Sequence, residues 1–311
     1  MGLIWVYEKG KPPDQRATKV QCRVNGYFGS VRPNGSLDES LEPKLADLEN
    51  ECNDVLFCAK SDLFDWSSTA NRNRLAFYAA LLFCRATQKR NLTVRSWEKS
   101  HQDLSDLMLD TQYLEDMADH YSRETQQSIS PAHIRAGLLS VAMRTNTSRV
   151  AKNLFLDKLL AHAHLIKDEL LSRKWQVWKS PPDADFITSD NPVITWKPDR
   201  RDMWTIGCGF RVEGAVTALP LCPSRCLVMG INGSEYRTLQ TDDVVKLNTA
   251  VIRLSDRYVY SQNLSAQVET IVNECGGEEQ YGVKAFTRPP VNTPTLADFM
   301  KRRIASHQTL R

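Results

Sequence analysis

The sequence predicts an α+β fold, in which a helical middle segment packs with a β-rich C-terminal half. Three observations predict it. Residues 3–7 and 18–24 are short stretches typical of strands, residues 41–171 carry apolar side chains at helical spacing, and strand-like runs return from residue 175 onwards. Because helices and strands are segregated along the chain, the sequence favours α+β over a doubly wound sheet.

The middle segment repeats apolar residues at intervals of three and four, as amphipathic helices do. The run at residues 75–86 is apolar on most faces, which predicts a buried helix. Arg85 stands near its end, and a buried guanidinium needs a carboxylate or several carbonyl partners. Ser130 and Pro131 are typical first residues of a helix. The predicted helices are residues 41–59, 75–86, 94–123, 131–144 and 150–173.

The C-terminal half alternates short strands with turn-forming residues. We predict strands at residues 175–178, 186–188, 193–196, 215–219, 226–231 and 258–261, and helices at 242–254 and 269–273. The chain is therefore expected to divide into residues 1–174, with short N-terminal strands and the helical region, residues 175–283, a β-rich region of the same fold, and residues 284–311, a basic tail that contains prolines.

Composition is that of an ordinary globular protein, with 41% hydrophobic and 25% charged residues among 311. The net charge of +3 is too small to indicate nucleic-acid binding by itself. No stretch approaches the roughly 20 apolar residues of a membrane helix, so no membrane partner is expected. The N-terminus lacks the basic start of a signal peptide, and the eight cysteines include no CxxC pair. These features predict reduced thiols and a cytoplasmic location.

The familiar motifs for nucleotide binding and for nucleophile-elbow hydrolases are absent. Cys222 and Cys226 are four residues apart, but no second pair accompanies them, so no zinc is expected. His162 and His164 are two residues apart on a predicted helix and point in different directions. The sequence assigns no metal ligands, and the cofactor stays unknown, with a divalent metal ion possible.

One stretch combines features typical of a site. Between two strand-like arms, residues 186–188 and 193–196, lie Ser189, Asp190, Asn191 and Pro192. Side chains of these types bond to the local backbone, and proline fixes its own φ, so the stretch predicts a tight turn between strands. Such a turn would present the Asp190 carboxylate at a strand end.

The letters F-I-T-S-D-N-P-V at residues 186–193 resemble the signature of a bacterial family known as domain of unknown function 4238. The opening residues 3–8, the apolar helix ending in Arg85, the segment 219–223, Asn248 and residues 258–261 resemble further parts of that family in the same order. The similarity covers roughly residues 3–262, without the family's usual N-terminal His-Tyr-Val-Pro segment. The resemblance implies candidate positions and no established chemistry.

Two interpretations of the turn remain open. In the first, Asp190 and Arg85 meet as a catalytic pair, with Thr188, Ser189, Asn191 and Asn248 nearby as ligand-binding residues. Arg85 would bind a phosphate, and Asp190 would hold a metal ion or a water molecule, which outlines a site that cleaves phosphodiesters. In the second interpretation Asp190 caps its own turn, and Arg85 is neutralised inside the fold.

The sequence therefore predicts a soluble protein, with hydrolysis of nucleic acid or of another phosphorylated substrate as one candidate function. The alternative is a non-enzymatic binding or interaction protein that uses the same pocket or the basic tail. Its partners are unknown, and nucleic acid is a possible one because the last 28 residues carry six Lys or Arg and one acid. The alternative interpretation of the basic tail is a solvated chain end without a binding role.

Overall fold

A computed structural model describes residues 2–18, 27–32, 34–145, 148–198 and 204–275. The α+β prediction is confirmed, because helices fill most of residues 41–171 and the strands lie before and after them in the described part of the chain. The elements in chain order are β1 (Leu3–Tyr7), β2 (Asp14–Ala17), β3 (Ser30–Val31), β4 (Leu37–Asp38), α1 (Leu41–Asn50), α2 (Asn53–Lys60), α3 (Thr69–Arg85), α4 (Thr87–Leu109), α5 (Thr111–Thr125), α6 (Pro131–Thr145), α7 (Ser148–Leu171), β5 (Trp175–Lys179), β6 (Thr188–Ser189), β7 (Ile194–Pro198), β8 (Trp204–Ile206), β9 (Val216–Cys222), β10 (Arg225–Met229), β11 (Tyr236–Thr238), α8 (Thr241–Leu254), β12 (Val259–Ser261) and α9 (Ala266–Cys275).

Several element boundaries differ from the predicted ones. The predicted helix at residues 41–59 is divided into α1 and α2. The predicted helix at 94–123 is divided by Asp110, whose carboxylate accepts a hydrogen bond from the Tyr113 N–H at 2.9 Å and so caps α5. Most of the predicted strand at residues 18–24 and the whole predicted tail at 284–311 lie outside the described residues.

The larger sheet has the strand order β11-β5-β10-β9-β7-β8 and is antiparallel except between β11 and β5. Successive side chains point to opposite faces. In β10, Leu227 and Met229 therefore join one apolar layer, and Cys226 and Val228 join the other. Because both faces are covered, its buried strands are apolar without the usual alternation of polar and apolar residues.

One apolar layer lies between this sheet and the helices α1, α2, α3 and α7. Helix α3 begins at its N-cap Ser68, whose hydroxyl accepts from the Asn71 N–H at 3.2 Å. The other layer lies between the opposite face of the sheet and α8 and α9, and it extends to Tyr7 and Val259 of the smaller sheet. The predicted buried character of residues 75–86 is confirmed by Leu75 and its apolar neighbours on α3.

The smaller sheet is antiparallel, with the order β2-β1-β12-β6. Its edge strand β6 is two residues long and pairs Thr188 with Tyr260 and Ser189 with Val259. Strand β7, which follows after four residues, belongs to the larger sheet. The two arms of the predicted turn therefore do not pair with each other, and the turn carries the chain from one sheet to the other.

The chain separates into two compact units. The first comprises Met1–Asn91 and Phe155–Tyr281 and contains both sheets just described. Leu92–Leu154 belongs to the second unit, in which α5 and α6 pack around their own apolar cluster, including Leu114 and Ile134. The predicted boundary after residue 174 falls within the first unit. Among the described helices, none is both long and apolar enough to cross a lipid bilayer.

Candidate functional site

The Asp190 carboxylate is bonded to three consecutive backbone N–H groups. Oδ1 accepts from Asp256 at 2.8 Å, and Oδ2 accepts from Arg257 at 2.7 Å and from Tyr258 at 2.9 Å. The Asp190 N–H in turn donates to the Tyr258 carbonyl at 3.1 Å. These bonds fasten the turn to the connection between α8 and β12, since all three donors lie between those two elements.

Burial raises the pKa of the Asp190 carboxyl group, while the three backbone donors oppose that rise by stabilising the ionised form. The nearby Asp256 carboxylate adds a smaller upward contribution to the pKa. Both carboxylate oxygens of Asp190 are occupied by donors from the protein itself. Asp190 therefore acts as a clamp that holds the turn after β6 to the connection between α8 and β12.

The neighbouring polar residues of the turn also bond to backbone atoms. The Ser189 hydroxyl donates to the Asn191 carbonyl at 2.9 Å and accepts from its N–H at 3.1 Å. The Asn191 amide donates to the carbonyl of Leu254, the last residue of α8, at 3.0 Å. Thr188 is half-buried in β6, opposite Tyr260.

Asn248 belongs to the same set of contacts, although it comes from the middle of α8. Its side-chain oxygen accepts from the Ile187 N–H at 3.2 Å, and its side-chain nitrogen donates to the Asp185 carbonyl at 2.8 Å. The structure thus brings Asn248 to the segment before the turn, and its predicted role in ligand binding stays a prediction. Its amide substitutes for a strand partner there, because both bonds are to backbone groups.

Arg85, at the last position of α3, has a different carboxylate partner from the predicted one. Its Nη1 donates to Oε1 of Glu49 on α1, and its Cζ lies 4.9 Å from the centroid of the Phe28 ring. Burial lowers the pKa of this guanidinium group, which Glu42 and Tyr27 partly oppose. The expected contact between Arg85 and Asp190 is not formed, since the bonding partners of each side chain are other groups.

A second arginine lies over the aromatic ring next to the one that Arg85 contacts. The backbone leaves the helical conformation at Ala86, whose ψ is 135°, so α3 ends at Arg85. Helix α4 begins at the next residue, Thr87. Arg90, in the first turn of α4, places its Cζ 4.6 Å from the centroid of the Tyr27 ring. The rings of Tyr27 and Phe28 are themselves 4.8 Å apart at an interplanar angle of 76°. Two guanidinium groups therefore lie on two adjoining aromatic rings.

We call Arg85, Arg90, Tyr27 and Phe28 the arginine pair site. Its two cations are served unequally: Glu49 bonds Arg85 and Glu42 acts on Arg85 through its charge, while no carboxylate bonds Arg90 within the described residues. The Tyr27 hydroxyl is buried and has no hydrogen-bond partner among the described residues. A buried hydroxyl without a partner costs about 1–3 kcal/mol, which a ligand oxygen or a water molecule at this position would recover.

Lys89 is a further unusual cation in the first turn of α4. Its Nζ lies 4.0 Å from the centroid of the Phe83 ring, and burial lowers its pKa from 10.5 to about 7. The ammonium group is thus close to half protonated at neutral pH. Burial also raises the pKa of the adjacent Cys84 thiol to about 12, so that thiol stays protonated.

Sequence reasoning identified Arg85 but missed Tyr27, Arg90 and Lys89. The consecutive Lys89 and Arg90 follow the apolar run at residues 75–86 after Thr87 and Gln88, and this change from apolar to basic residues was the available signal. Tyr27 gave no signal, because its importance depends on a contact 63 residues away in sequence. Within the residues that the structure describes, no group of three His, Cys, Asp or Glu side chains is arranged to hold a metal ion.

Comparison with known proteins places the chain in a family and gives no activity. No curated protein and no solved structure matches it. A family model described as "Protein of unknown function (DUF4238)" matches residues 2–265, which is most of the chain and includes both the Asp190 turn and the arginine pair site. This match confirms the resemblance at residues 186–193, and the chain belongs to the DUF4238 family of proteins of unknown function.

Proposed function

We propose that the protein binds a small phosphate-bearing ligand at the arginine pair site. The observation that carries the proposal is the presence of two half-buried guanidinium groups on adjoining aromatic rings, beside a buried hydroxyl that lacks a partner. Guanidinium forks match the geometry of phosphate oxygens, and partial burial strengthens such contacts by excluding water.

The unused donors at the site support this ligand class. A guanidinium has five N–H donors, and the Glu49 carboxylate takes one from Arg85. Arg90 and the Tyr27 hydroxyl add donors that no protein acceptor occupies in the described part of the chain. An anion with several oxygens would accept from the free donors of both guanidinium groups. The half-buried positions favour a compact ligand over a duplex, whose phosphates are contacted by exposed, extended rows of cations.

The proposal separates binding from the predicted cleavage at Asp190. Hydrolysis of a phosphodiester would need a carboxylate that is free to hold a metal ion or a water molecule. Both carboxylate oxygens of Asp190 instead accept hydrogen bonds from the backbone N–H groups of Asp256, Arg257 and Tyr258. We therefore assign Asp190, Asn191 and Ser189 a structural role, and hydrolase activity stays a prediction without a residue to perform it.

Calorimetric titration with inorganic pyrophosphate tests the proposal. Arg90→Gln removes the guanidinium that has no carboxylate partner, and it should weaken binding at least about tenfold, since a charge-assisted hydrogen bond contributes about 1.5–3 kcal/mol. Glu49→Gln should have the opposite effect, because it frees Arg85 from a competing carboxylate. An affinity increase of about threefold or more is expected.

Arg237→Gln is the matched control, because Arg237 also lies over an aromatic ring, 5.8 Å from the centroid of Trp178, and is more than half exposed. It should leave the affinity within about twofold of the unsubstituted protein. If Arg90→Gln and Arg237→Gln weaken binding equally, the loss reflects the change in net charge and not a contact at the arginine pair site. Absence of saturable pyrophosphate binding would refute the proposal. A single-stranded RNA decamer that binds while pyrophosphate does not would favour nucleic acid as the partner.

A further inference from the structure

A second charged cluster lies on the larger sheet and begins at an unusual backbone position. Helix α2 ends at Lys60, and two residues later Asp62 has a φ of 59°, in the left-handed region. The Leu63 N–H closes the helix end by donating to the Cys58 carbonyl at 2.9 Å. Glycine is the usual residue at such a position, and other residues cost roughly 1 kcal/mol. Aspartate adopts this conformation more readily than most other non-glycine residues, so the interest of the position lies in the contacts of its side chain.

The Asp62 carboxylate lies between two cations from adjacent strands. Lys179 of β5 and Arg225 of β10 are direct cross-strand partners in the antiparallel register. Like charges placed directly opposite destabilise a sheet. Asp62 offsets this repulsion, because Oδ1 accepts from Arg225 Nε at 2.9 Å, while Oδ2 accepts from Arg225 Nη2 at 2.8 Å and from Lys179 Nζ at 2.5 Å.

An aromatic wall adjoins the two cations. Lys179 Nζ lies 4.8 Å from the centroid of the Tyr236 ring. The Trp66 indole packs edge-on against that ring at 5.7 Å and donates to its hydroxyl at 3.3 Å. The side chains of Asp62 and Lys179 remain 30% and 29% exposed, so solvent reaches the carboxylate and its partners.

We propose that Lys179 and Arg225 form an anion-binding site for an organic carboxylate, and that Asp62 occupies this site from within the chain until such a ligand displaces it. The Asp62 carboxylate stands in for the carboxylate of the ligand, and its bidentate contact with Arg225 defines the geometry that the ligand reproduces. The rings of Tyr236 and Trp66 offer an apolar surface to the remainder of the ligand.

Charge and conformation both support displacement. Two cations and one carboxylate leave one net positive charge, which attracts a second anion. Hydrogen bonds from Arg225, followed by those from Lys179, lower the pKa of Asp62, so the internal carboxylate stays ionised near neutral pH and competes with the ligand at full strength. Rotation about the Cα–Cβ bond of Asp62 would release both cations, since its side chain is 30% exposed and can turn towards water.

Titration with sodium benzoate at constant ionic strength tests this inference. The reporter is the 15N signal of Arg225 Nε, which is assigned by its loss in Arg225→Gln. Asp62→Asn keeps the size of the side chain and tolerates the left-handed backbone, but it removes the competing charge. We expect half-saturation of the signal change at a benzoate concentration at least tenfold lower in Asp62→Asn than in the unsubstituted protein, and weaker binding of acetate than of benzoate.

Asp65→Asn is the control, because the Asp65 carboxylate is exposed and bonds Ser67 at 2.7 Å instead of the two cations. It should titrate as the unsubstituted protein does. The inference is overturned if benzoate leaves the Arg225 signal of Asp62→Asn unchanged, if both proteins titrate at the same concentration, or if the unsubstituted protein never responds. None of these outcomes depends on the arginine pair site.

Discussion

Replacing Asp190 by alanine removes the acceptor of three backbone N–H groups at once. Hydrogen bonds to charged groups contribute about 1.5–3 kcal/mol each, and the burial that raises the Asp190 pKa subtracts part of their sum. Arg257 is exposed, so water can replace some of the lost bonds. We therefore expect the free energy of unfolding to fall by about 3 kcal/mol. Asp190→Asn keeps one acceptor oxygen and should lose about 2 kcal/mol.

Urea denaturation followed by tryptophan fluorescence and by far-ultraviolet circular dichroism measures both variants. Asp183→Ala is the matched control, because Asp183 is an exposed carboxylate in the segment between β5 and β6 and accepts one bond, from the Thr241 hydroxyl at 2.8 Å. Its loss should stay below about 1 kcal/mol. A loss below 1 kcal/mol in Asp190→Ala would contradict the clamp and restore the interpretation of Asp190 as a residue kept for chemistry.

Two further predictions concern buried polar groups. Lys89→Met should raise the free energy of unfolding by about 2 kcal/mol at pH 6.5, because it removes an ammonium group that burial destabilises. The pKa of Lys89 falls from 10.5 to about 7, and each pKa unit corresponds to about 1.4 kcal/mol. We halve the resulting energy because the side chain is partly exposed. The gain should shrink as the pH rises and vanish above pH 10.5, where the amine is neutral in both states. Urea titrations at pH 6.5 and above pH 10.5, with exposed Lys44→Met as control, check it. Asn248→Ala should lower stability by about 2 kcal/mol in the same assay, since the Ile187 N–H and the Asp185 carbonyl lose their partner; an unchanged midpoint would show that water replaces both bonds.

Periodicity was enough to predict the main elements. Strand β5 lies close to its predicted range, because its apolar spacing reflects burial on one sheet. Helix α3 contains the predicted apolar run but begins at Thr69, six residues before the predicted start at Leu75. The division at Asp110 was missed, because a capping aspartate inside a long periodic stretch resembles any other exposed acid. The sequence also failed to assign β6 and β7 to different sheets, since strand pairing depends on contacts between distant segments.

Candidate site residues were easier to find than their partners. Asp190 stood out by its place in a polar turn, yet its partners are backbone N–H groups, which every non-proline residue supplies and no sequence pattern marks. Arg85 stood out as a charge on an apolar helix. Its partner Glu49 is one of several acids on α1, and only the packing of α1 against α3 selects it.

Pyrophosphate titration of Arg85→Gln and Asp190→Asn in parallel tests most directly whether the ligand is bound at the arginine pair site. We predict that Asp190→Asn, once shown to be folded by circular dichroism, binds within about threefold of the unsubstituted protein, while Arg85→Gln binds at least about tenfold more weakly. The opposite pattern, in which folded Asp190→Asn no longer binds and Arg85→Gln binds normally, would contradict the account and place the functional centre at the turn.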